Sequence, residues 1–163
     1  MNVRVVPRKW FLERKGTDAE KAVFDTLNVV SIITPAHPGT GFEDEDVPFS
    51  IQYRDLPTVL VLKFHDAETK ADDDVVLMSE ADADRVYRFV EETKGNGRDY
   101  IVHCTAGKSR SQAVGYVLNE WLNGNGVHED EYEEYERLYG GTRTMNSLVK
   151  RLLMNRFFGG MVQ

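Results

Sequence analysis

Short apolar runs alternate with amphipathic segments along most of this chain. The continuous runs Val29–Ile33 and Thr58–Phe64 are typical of buried strands, and Tyr100–Cys104 is a third short run of the same kind. The β-branched run Val3–Val6 stops at Pro7 and predicts an edge strand, because proline cannot donate a hydrogen bond to a sheet. These runs supply the strands of the predicted sheet.

Apolar residues at helical spacing predict helices between and after the strands. The expected helices are roughly Ala19–Leu27 with a cap at Thr17 or Asp18, Ser79–Glu92, Ser109–Leu122, Glu129–Tyr139 and Asn146–Phe158. Strands that alternate with helices favour an α/β fold. We therefore predict a single domain over residues 1–163, with a mainly parallel central sheet of about four to five strands flanked by helices.

Two segments lack the apolar periodicity of a helix or a strand, and we predict that they are surface loops. Ala36–Pro48 contains glycine and proline turn signals together with the acidic stretch Glu43–Asp46. Ala67–Asp74 is polar and acidic. A run of charged residues of this kind is usually a solvated surface, so neither loop by itself indicates a functional site.

Composition and charge exclude several classes of protein. The 163 residues carry 20 Lys+Arg against 27 Asp+Glu, and the net charge of −7 argues against nucleic acid as a partner. No apolar run approaches the roughly 20 residues needed to span a bilayer, so we expect no membrane partner. The N-terminal sequence MNVRVVPRKW has no apolar segment like that of a signal peptide. We expect a cytoplasmic protein; its oligomeric state cannot be predicted.

One segment carries residues suited to chemistry. The only cysteine, Cys104, ends a predicted parallel strand, which is where open α/β sheets place their ligands. Small residues follow, and Gly107 permits the tight turn of an anion-binding nest. Arg110 and Ser111 then open a helix whose N-terminus favours an anion. These surroundings favour a thiolate, so the segment predicts a nucleophile beside a phosphate-binding loop.

A lone cysteine is more often only a small buried apolar residue. Here, however, His103 stands directly before it and Arg110 stands at the sixth position after it. From the composition of the chain, the chance of that placement is about 0.002. The pattern therefore favours a functional cysteine.

The segment His103–Ser111 resembles the phosphate-binding loop of the cysteine-dependent protein tyrosine phosphatase superfamily, H-C-x5-R-[ST]. The Ala106-Gly107 pair strengthens the match. The order of a strand ending in Asp66, a helix, the loop and further helices is most similar to small dual-specificity-like phosphatases of bacteria and phages. The resemblance is specific at residues 102–112 and loose elsewhere. It implies a phosphatase-like α/β fold.

The resemblance also implies a role for each residue of the loop. Cys104 would be the nucleophile that forms a phosphocysteine intermediate, and Arg110 would grip the phosphoryl oxygens. Ser111 would donate a hydrogen bond to the sulfur, and His103 would be buried and fix the loop through a backbone hydrogen bond. The phosphate cradle would be completed by the amides of Thr105, Ala106, Gly107, Lys108, Ser109 and Arg110, and the Lys108 side chain would add positive potential at the rim.

The leaving oxygen needs a general acid, and the sequence offers several aspartates. Asp66 directly follows a predicted strand, so the sheet would fix its position, and it matches the strand-end aspartate of the family. Its separation from Cys104 is long for that family. Asp72, Asp73 and Asp74 have a more usual separation but stand in a polar loop. We favour Asp66, with Asp72 as the second choice.

The leading functional hypothesis is a phosphomonoesterase that acts on phosphotyrosine, with phosphoserine and phosphothreonine as further substrates. Its partner would be a phosphorylated protein or peptide. The first alternative is a phosphatase of a non-protein phosphoester such as a phosphoinositide or an RNA 5′-end. Thr105, however, stands where the lipid phosphatases of the superfamily usually have a basic residue. The second alternative is a catalytically weak phosphate-binding module. No metal and no cofactor is implied, because cysteine, arginine and an acid complete the chemistry.

Overall fold

A computed structural model describes residues 1–124 and 145–159 of the chain. Its strands are β1 (Val3–Pro7), β2 (Asn28–Ile33), β3 (Val59–Lys63) and β4 (Tyr100–Cys104). Its helices in these residues are α1 (Arg8–Leu12), α2 (Asp18–Thr26), α3 (Glu80–Thr93), α4 (Arg110–Asn123) and α5 (Ser147–Phe158). The predicted helix Glu129–Tyr139 lies outside the described residues.

The four strands form one parallel sheet in the order β1-β4-β2-β3. Tyr100 of β4 is in register with Val3 of β1 on one side and with Asn28 of β2 on the other. The predicted α/β class with a parallel sheet is therefore confirmed, and β1 is at an edge as expected. Because all strands run the same way, their carboxyl ends meet at one edge, with the end of β4 inside the sheet.

Helices cover both faces of the sheet, and alternate side chains of each strand point to opposite faces. Val30 and Val102 belong to the apolar cluster that includes α3, α4 and α5. Val29 and Ile101 belong to the second cluster, with α1 and α2. Both central strands are buried throughout, which explains why their sequences are mainly apolar.

Side-chain caps fix where the predicted helices begin. The Thr17 hydroxyl accepts a hydrogen bond from the amide of Glu20 at 3.4 Å. Ser79 and Asp82 form a reciprocal capping box at the start of α3. The Asn146 side chain accepts from the amide of Val149 at 3.1 Å and caps α5. In each case a polar side chain satisfies an amide that has no partner within the helix.

Two details of the fold differ from the sequence prediction. The run Thr58–Phe64 was predicted as a buried strand, but β3 is the other edge of the sheet. Only its alternate residues Leu60 and Leu62 are buried, and Lys63 is exposed. The predicted strand is therefore confirmed, but its predicted burial on both faces was wrong. Helix α1 was not predicted, because a helix of five residues is too short for an amphipathic period to appear.

Candidate active site

The chemistry-bearing segment lies where β4 ends and α4 begins. Cys104 is the last residue of β4, and Arg110 is the first residue of α4. The two side chains are only 2 % and 4 % exposed, respectively. Both reach a pocket of about 300 Å³, whose lining is completed by Thr34, Phe42, Asp66, Thr105, Ala106, Lys108 and Ser109. The structure thus brings most of the predicted site residues to one pocket.

The Cys104 sulfur lies among hydrogen-bond donors. The amide of Gly107 donates to Sγ at 3.2 Å, and the hydroxyl oxygen of Ser111 lies 3.0 Å from Sγ. Gly107 has a φ of +71°, a conformation that side-chain-bearing residues rarely adopt, so glycine is needed to direct this amide inward. Donors aimed at one sulfur stabilise negative charge on it.

Arg110 is held by two neutral acceptors, and one of the three nitrogens of its guanidinium group has no partner among the described residues. Its Nη1 donates to the backbone carbonyl oxygen of Phe64 at 2.6 Å, and its Nη2 donates to the Thr105 hydroxyl at 3.0 Å. Its Nε is buried and meets no acceptor among the described residues. Leaving a buried charged donor without a partner is costly. An anion bound in the pocket would remove that cost.

A carboxylate behind the loop holds Thr105. Both oxygens of Glu45 lie near the Thr105 hydroxyl, at 3.0 and 3.2 Å, and the amide of Thr34 donates to Glu45 at 2.8 Å. Arg8 lies 3.7 Å from the same carboxylate. Burial raises the pKa of Glu45, but hydrogen bonds from Thr34 and Thr105 and the charge of Arg8 outweigh it and hold the pKa below its usual value. Glu45 is therefore ionised at neutral pH.

Sequence reasoning missed Glu45, because it stands in the acidic stretch Glu43–Asp46 that was expected to be solvated. It also missed Gln112, which is buried and donates from Nε2 to the carbonyl oxygen of Gly107 at 3.1 Å. A third missed contact is the backbone carbonyl of Phe64 that binds Arg110. No sequence signal distinguishes Glu45 from its acidic neighbours. The backbone carbonyl of Phe64 gives no sequence signal, because every residue has a backbone carbonyl.

Asp66 lies at the pocket, as its place after β3 predicted. Its Oδ1 accepts hydrogen bonds from the Ser109 hydroxyl at 2.7 Å and from Asn146 Nδ2 at 2.9 Å. Because both donors use Oδ1, a proton on this carboxyl group is favoured on Oδ2. Asn146 connects the cap of α5 with the end of β3 and with the loop 105–109, where its amide donates to the Ser109 carbonyl oxygen at 3.2 Å.

The alternative aspartates lie away from the pocket lining. Asp72 is 3.1 Å from Nε2 of His37. The hydrogen bond from His37 lowers the pKa of Asp72 below its usual value. Asp73 and Asp74 are exposed in the same loop. Of the candidate acids, the structure brings only Asp66 to Cys104.

His103 is fully buried beside Cys104 in β4. Its Nδ1 lies 3.1 Å from the Cys104 carbonyl oxygen, and its Nε2 lies 2.6 Å from the Ser31 hydroxyl. Burial lowers its pKa to about 4, although the hydrogen bond to the carbonyl of Cys104 acts in the opposite direction. The ring is therefore neutral, with Nδ1 donating to the backbone and Nε2 accepting from Ser31.

One group of side chains in the described residues has the spacing of metal ligands. The ligand atoms of His37, Asp72 and Asp74 lie within 4.8 Å of one another. None of them lines the Cys104 pocket.

No helix of residues 1–124 and 145–159 is long and apolar enough to cross a membrane.

No protein-family model and no curated protein matches the sequence. Solved structures do match. Human DUSP28 has 12% identity and a TM-score of 0.55, over 99% of this chain and 94% of that chain. The human tyrosine phosphatase-like serine/threonine/tyrosine-interacting protein has 16% identity and a TM-score of 0.52, over 94% of this chain and 89% of that chain.

The chain has the fold of the cysteine-dependent protein tyrosine phosphatase superfamily. The expectation drawn from residues 102–112 is confirmed at the level of the fold. The match extends over nearly the whole chain, so the loose resemblance outside the loop also reflects this fold. The likeness to the bacterial and phage members of the superfamily stays a prediction.

Proposed function

We propose that this protein is a cysteine-dependent phosphomonoesterase. One observation carries the proposal: Cys104 and Arg110 line the same pocket, and the buried Nε–H of Arg110 has no partner among the described residues. A nucleophile and an unsatisfied guanidinium together suit a substrate with an electrophilic centre inside an anion. A phosphate ester has both properties.

The geometry suits a two-step reaction. The Cys104 thiolate attacks phosphorus, the bond from phosphorus to the ester oxygen breaks, and the leaving oxygen takes the proton of Asp66. A phosphocysteine and a free alcohol result. Water then attacks phosphorus and gives a proton to the Asp66 carboxylate, while the sulfur–phosphorus bond breaks. Ser111 donates to the departing sulfur, and inorganic phosphate is released.

Phosphotyrosine in a protein or peptide is the substrate that we propose, with phosphoserine and phosphothreonine as further substrates. The cationic side chains lining the pocket are Arg110 and Lys108, and Asp66 opposes them. This charge balance suits one phosphoryl group better than a polyphosphorylated lipid headgroup. A weak binding module is disfavoured because Cys104, Arg110 and an acid share the pocket.

A cytoplasmic location and a single domain over residues 1–163 stay predictions.

Hydrolysis of p-nitrophenyl phosphate in the presence of EDTA and a thiol reductant tests the proposal. Cys104→Ser and Arg110→Lys should each lower kcat/KM by about 1,000-fold or more. Arg88→Lys is the matched control, since Arg88 is exposed on α3 and pairs with Asp84. Circular dichroism checks that each variant folds. Activity that survives Cys104→Ser would overturn the proposal.

A further inference from the structure

One aromatic side chain lines the pocket without an evident role in folding. Phe42 is 45% exposed, whereas the core phenylalanines Phe11, Phe49 and Phe64 are almost fully buried. Single exposed apolar side chains are common on proteins and by themselves mean little. Phe42 differs by its place, since it lines the pocket of Cys104 and Arg110. Among the described residues that line this pocket, Phe42 is the only aromatic one.

The backbone around Phe42 is fixed locally. The amide of His37 donates to the carbonyl oxygen of Phe42 at 2.9 Å and closes a tight loop. Within it, Pro38–Thr40 form a short 3₁₀ turn, and Gly41 has a φ of +76°. That conformation favours glycine and turns the chain just before Phe42. The aromatic ring is thus carried on a closed loop.

The residues after Phe42 attach this loop to the rest of the site. Asp44 accepts a hydrogen bond from the amide of Ala36 and pairs with Lys63 at 2.6 Å. Glu45 bonds Thr105 of the phosphate loop at 3.0 Å. Phe42 is therefore held in a defined position relative to Cys104. Ligand binding at Phe42 would not have to order a free loop, which would cost binding free energy.

We propose that Phe42 is a specificity-determining residue that contacts the ring of a phosphorylated aromatic group, phosphotyrosine in a peptide. The inference rests on the proposed function and narrows its substrate class. The other side chains that line the pocket, apart from Ala106, carry polar or charged atoms. A substrate ring beside Phe42 would cover its exposed apolar surface. Tilted or offset pairs of aromatic rings gain more binding free energy than the burial of their apolar area alone provides. Aryl phosphates are therefore favoured over alkyl phosphates.

The test compares two phosphonates that are not hydrolysed, phenylphosphonate and methylphosphonate. Their dissociation constants are measured by calorimetry or NMR for the wild-type protein, Phe42→Ala and Phe42→Tyr. Phe42→Ala should lower the preference for the phenyl compound by about 10-fold, and Phe42→Tyr should restore it. Ile51→Ala, at a side chain that is 64% exposed outside the pocket, is the control and should leave the ratio unchanged.

The outcomes separate this inference from the proposed function. An unchanged ratio in Phe42→Ala, with p-nitrophenyl phosphate hydrolysis intact, overturns the role of Phe42 alone. An equal loss of affinity for both phosphonates also overturns it, because it indicates a displaced loop. If the wild-type protein binds neither phosphonate nor inorganic phosphate and has no hydrolytic activity, both proposals fail.

Discussion

The hydroxyl oxygen of Thr105 lies 3.0 Å from Nη2 of Arg110. The same hydroxyl has the ionised Glu45 carboxylate within hydrogen-bond distance. Its single proton is therefore given to Glu45, and its lone pairs face Arg110. With Nη1 bound to the Phe64 carbonyl oxygen and Nη2 bound to Thr105, Nε is the guanidinium nitrogen that has no partner among the described residues.

Replacing Thr105 with valine should weaken phosphate binding. The variant keeps the shape of the side chain but removes the acceptor for Nη2, and a hydrogen bond to a charged group contributes about 1.5–3 kcal/mol. Vanadate affinity and kcat/KM should therefore fall by roughly 10- to 100-fold, whereas Thr105→Ser should stay near the wild type. In a double-mutant cycle with Glu45→Gln, the losses should not add, because Glu45 acts through Thr105. Additive losses would contradict this account of Glu45.

Asp66→Asn should remove the general acid. The expected loss is about 100-fold or more in kcat for phenyl phosphate, whose phenolate is a poor leaving group. The loss should be smaller for p-nitrophenyl phosphate, whose leaving group departs with little protonation. Asp73→Asn, an exposed aspartate outside the pocket lining, is the matched control. A large loss in Asp72→Asn or Asp73→Asn, with Asp66→Asn active, would move the acid to the loop 72–74.

Ser111→Ala should slow the second step of the reaction. The hydroxyl lies 3.0 Å from the Cys104 sulfur and would stabilise the thiolate as it leaves phosphorus. Hydrolysis of the intermediate should become rate-limiting, with kcat lowered by roughly 10- to 100-fold. Rapid-mixing experiments should then show a burst of p-nitrophenol. Thr40→Ala removes a hydroxyl outside the pocket lining and should show no burst. A Ser111→Ala protein without a burst and with unchanged kcat would count against this role.

Much of the site could be predicted because its residues are contiguous. A buried strand, a loop of small residues and a helix start place Cys104, Gly107 and Arg110 together from local sequence alone. Residues that reach the loop from elsewhere were missed. Asn146 was recognised as the start of the last helix, yet its bond to Asp66 depends on how α5 packs against α3 and α4, which no local pattern encodes.

The sheet shows the same division between local and non-local information. The strands could be predicted from apolar runs, but their order could not, because it is set by how the helices pack on both faces. An apolar run also cannot distinguish an edge strand that is buried on one face from a central strand that is buried on both. For that reason Thr58–Phe64 was predicted as buried, while β3 exposes Lys63 and half-exposes Val59 and Val61.

His103 should make the fold less stable in acid. Its pKa is about 4 in the folded protein, whereas an unfolded histidine has a pKa near 6.5. Both states are neutral above about pH 6.5, so stability is unaffected there. Between that pH and about 4, only the unfolded state gains the proton, so about 3 kcal/mol of stability is lost as pH falls.

Urea unfolding at pH 7.5, 6 and 5 measures this effect. The pH dependence should shrink in His103→Asn and stay in His37→Asn, because His37 lies in a surface loop. An NMR titration of the imidazole protons gives a second, direct readout. A His103 signal that titrates near pH 6.5 would contradict a buried neutral ring.

The central claim is that Cys104 carries the phosphoryl group during turnover. The most direct measurement is acid quenching of Ser111→Ala during turnover of p-nitrophenyl phosphate, followed by mass spectrometry of the peptide that contains Cys104. We expect this peptide to gain the mass of one phosphoryl group, with the fragment ions assigning it to Cys104. The adduct should be absent in Ser111→Ala combined with Cys104→Ser. Turnover of substrate without a phosphorylated cysteine, or with phosphate on another residue, would contradict the account.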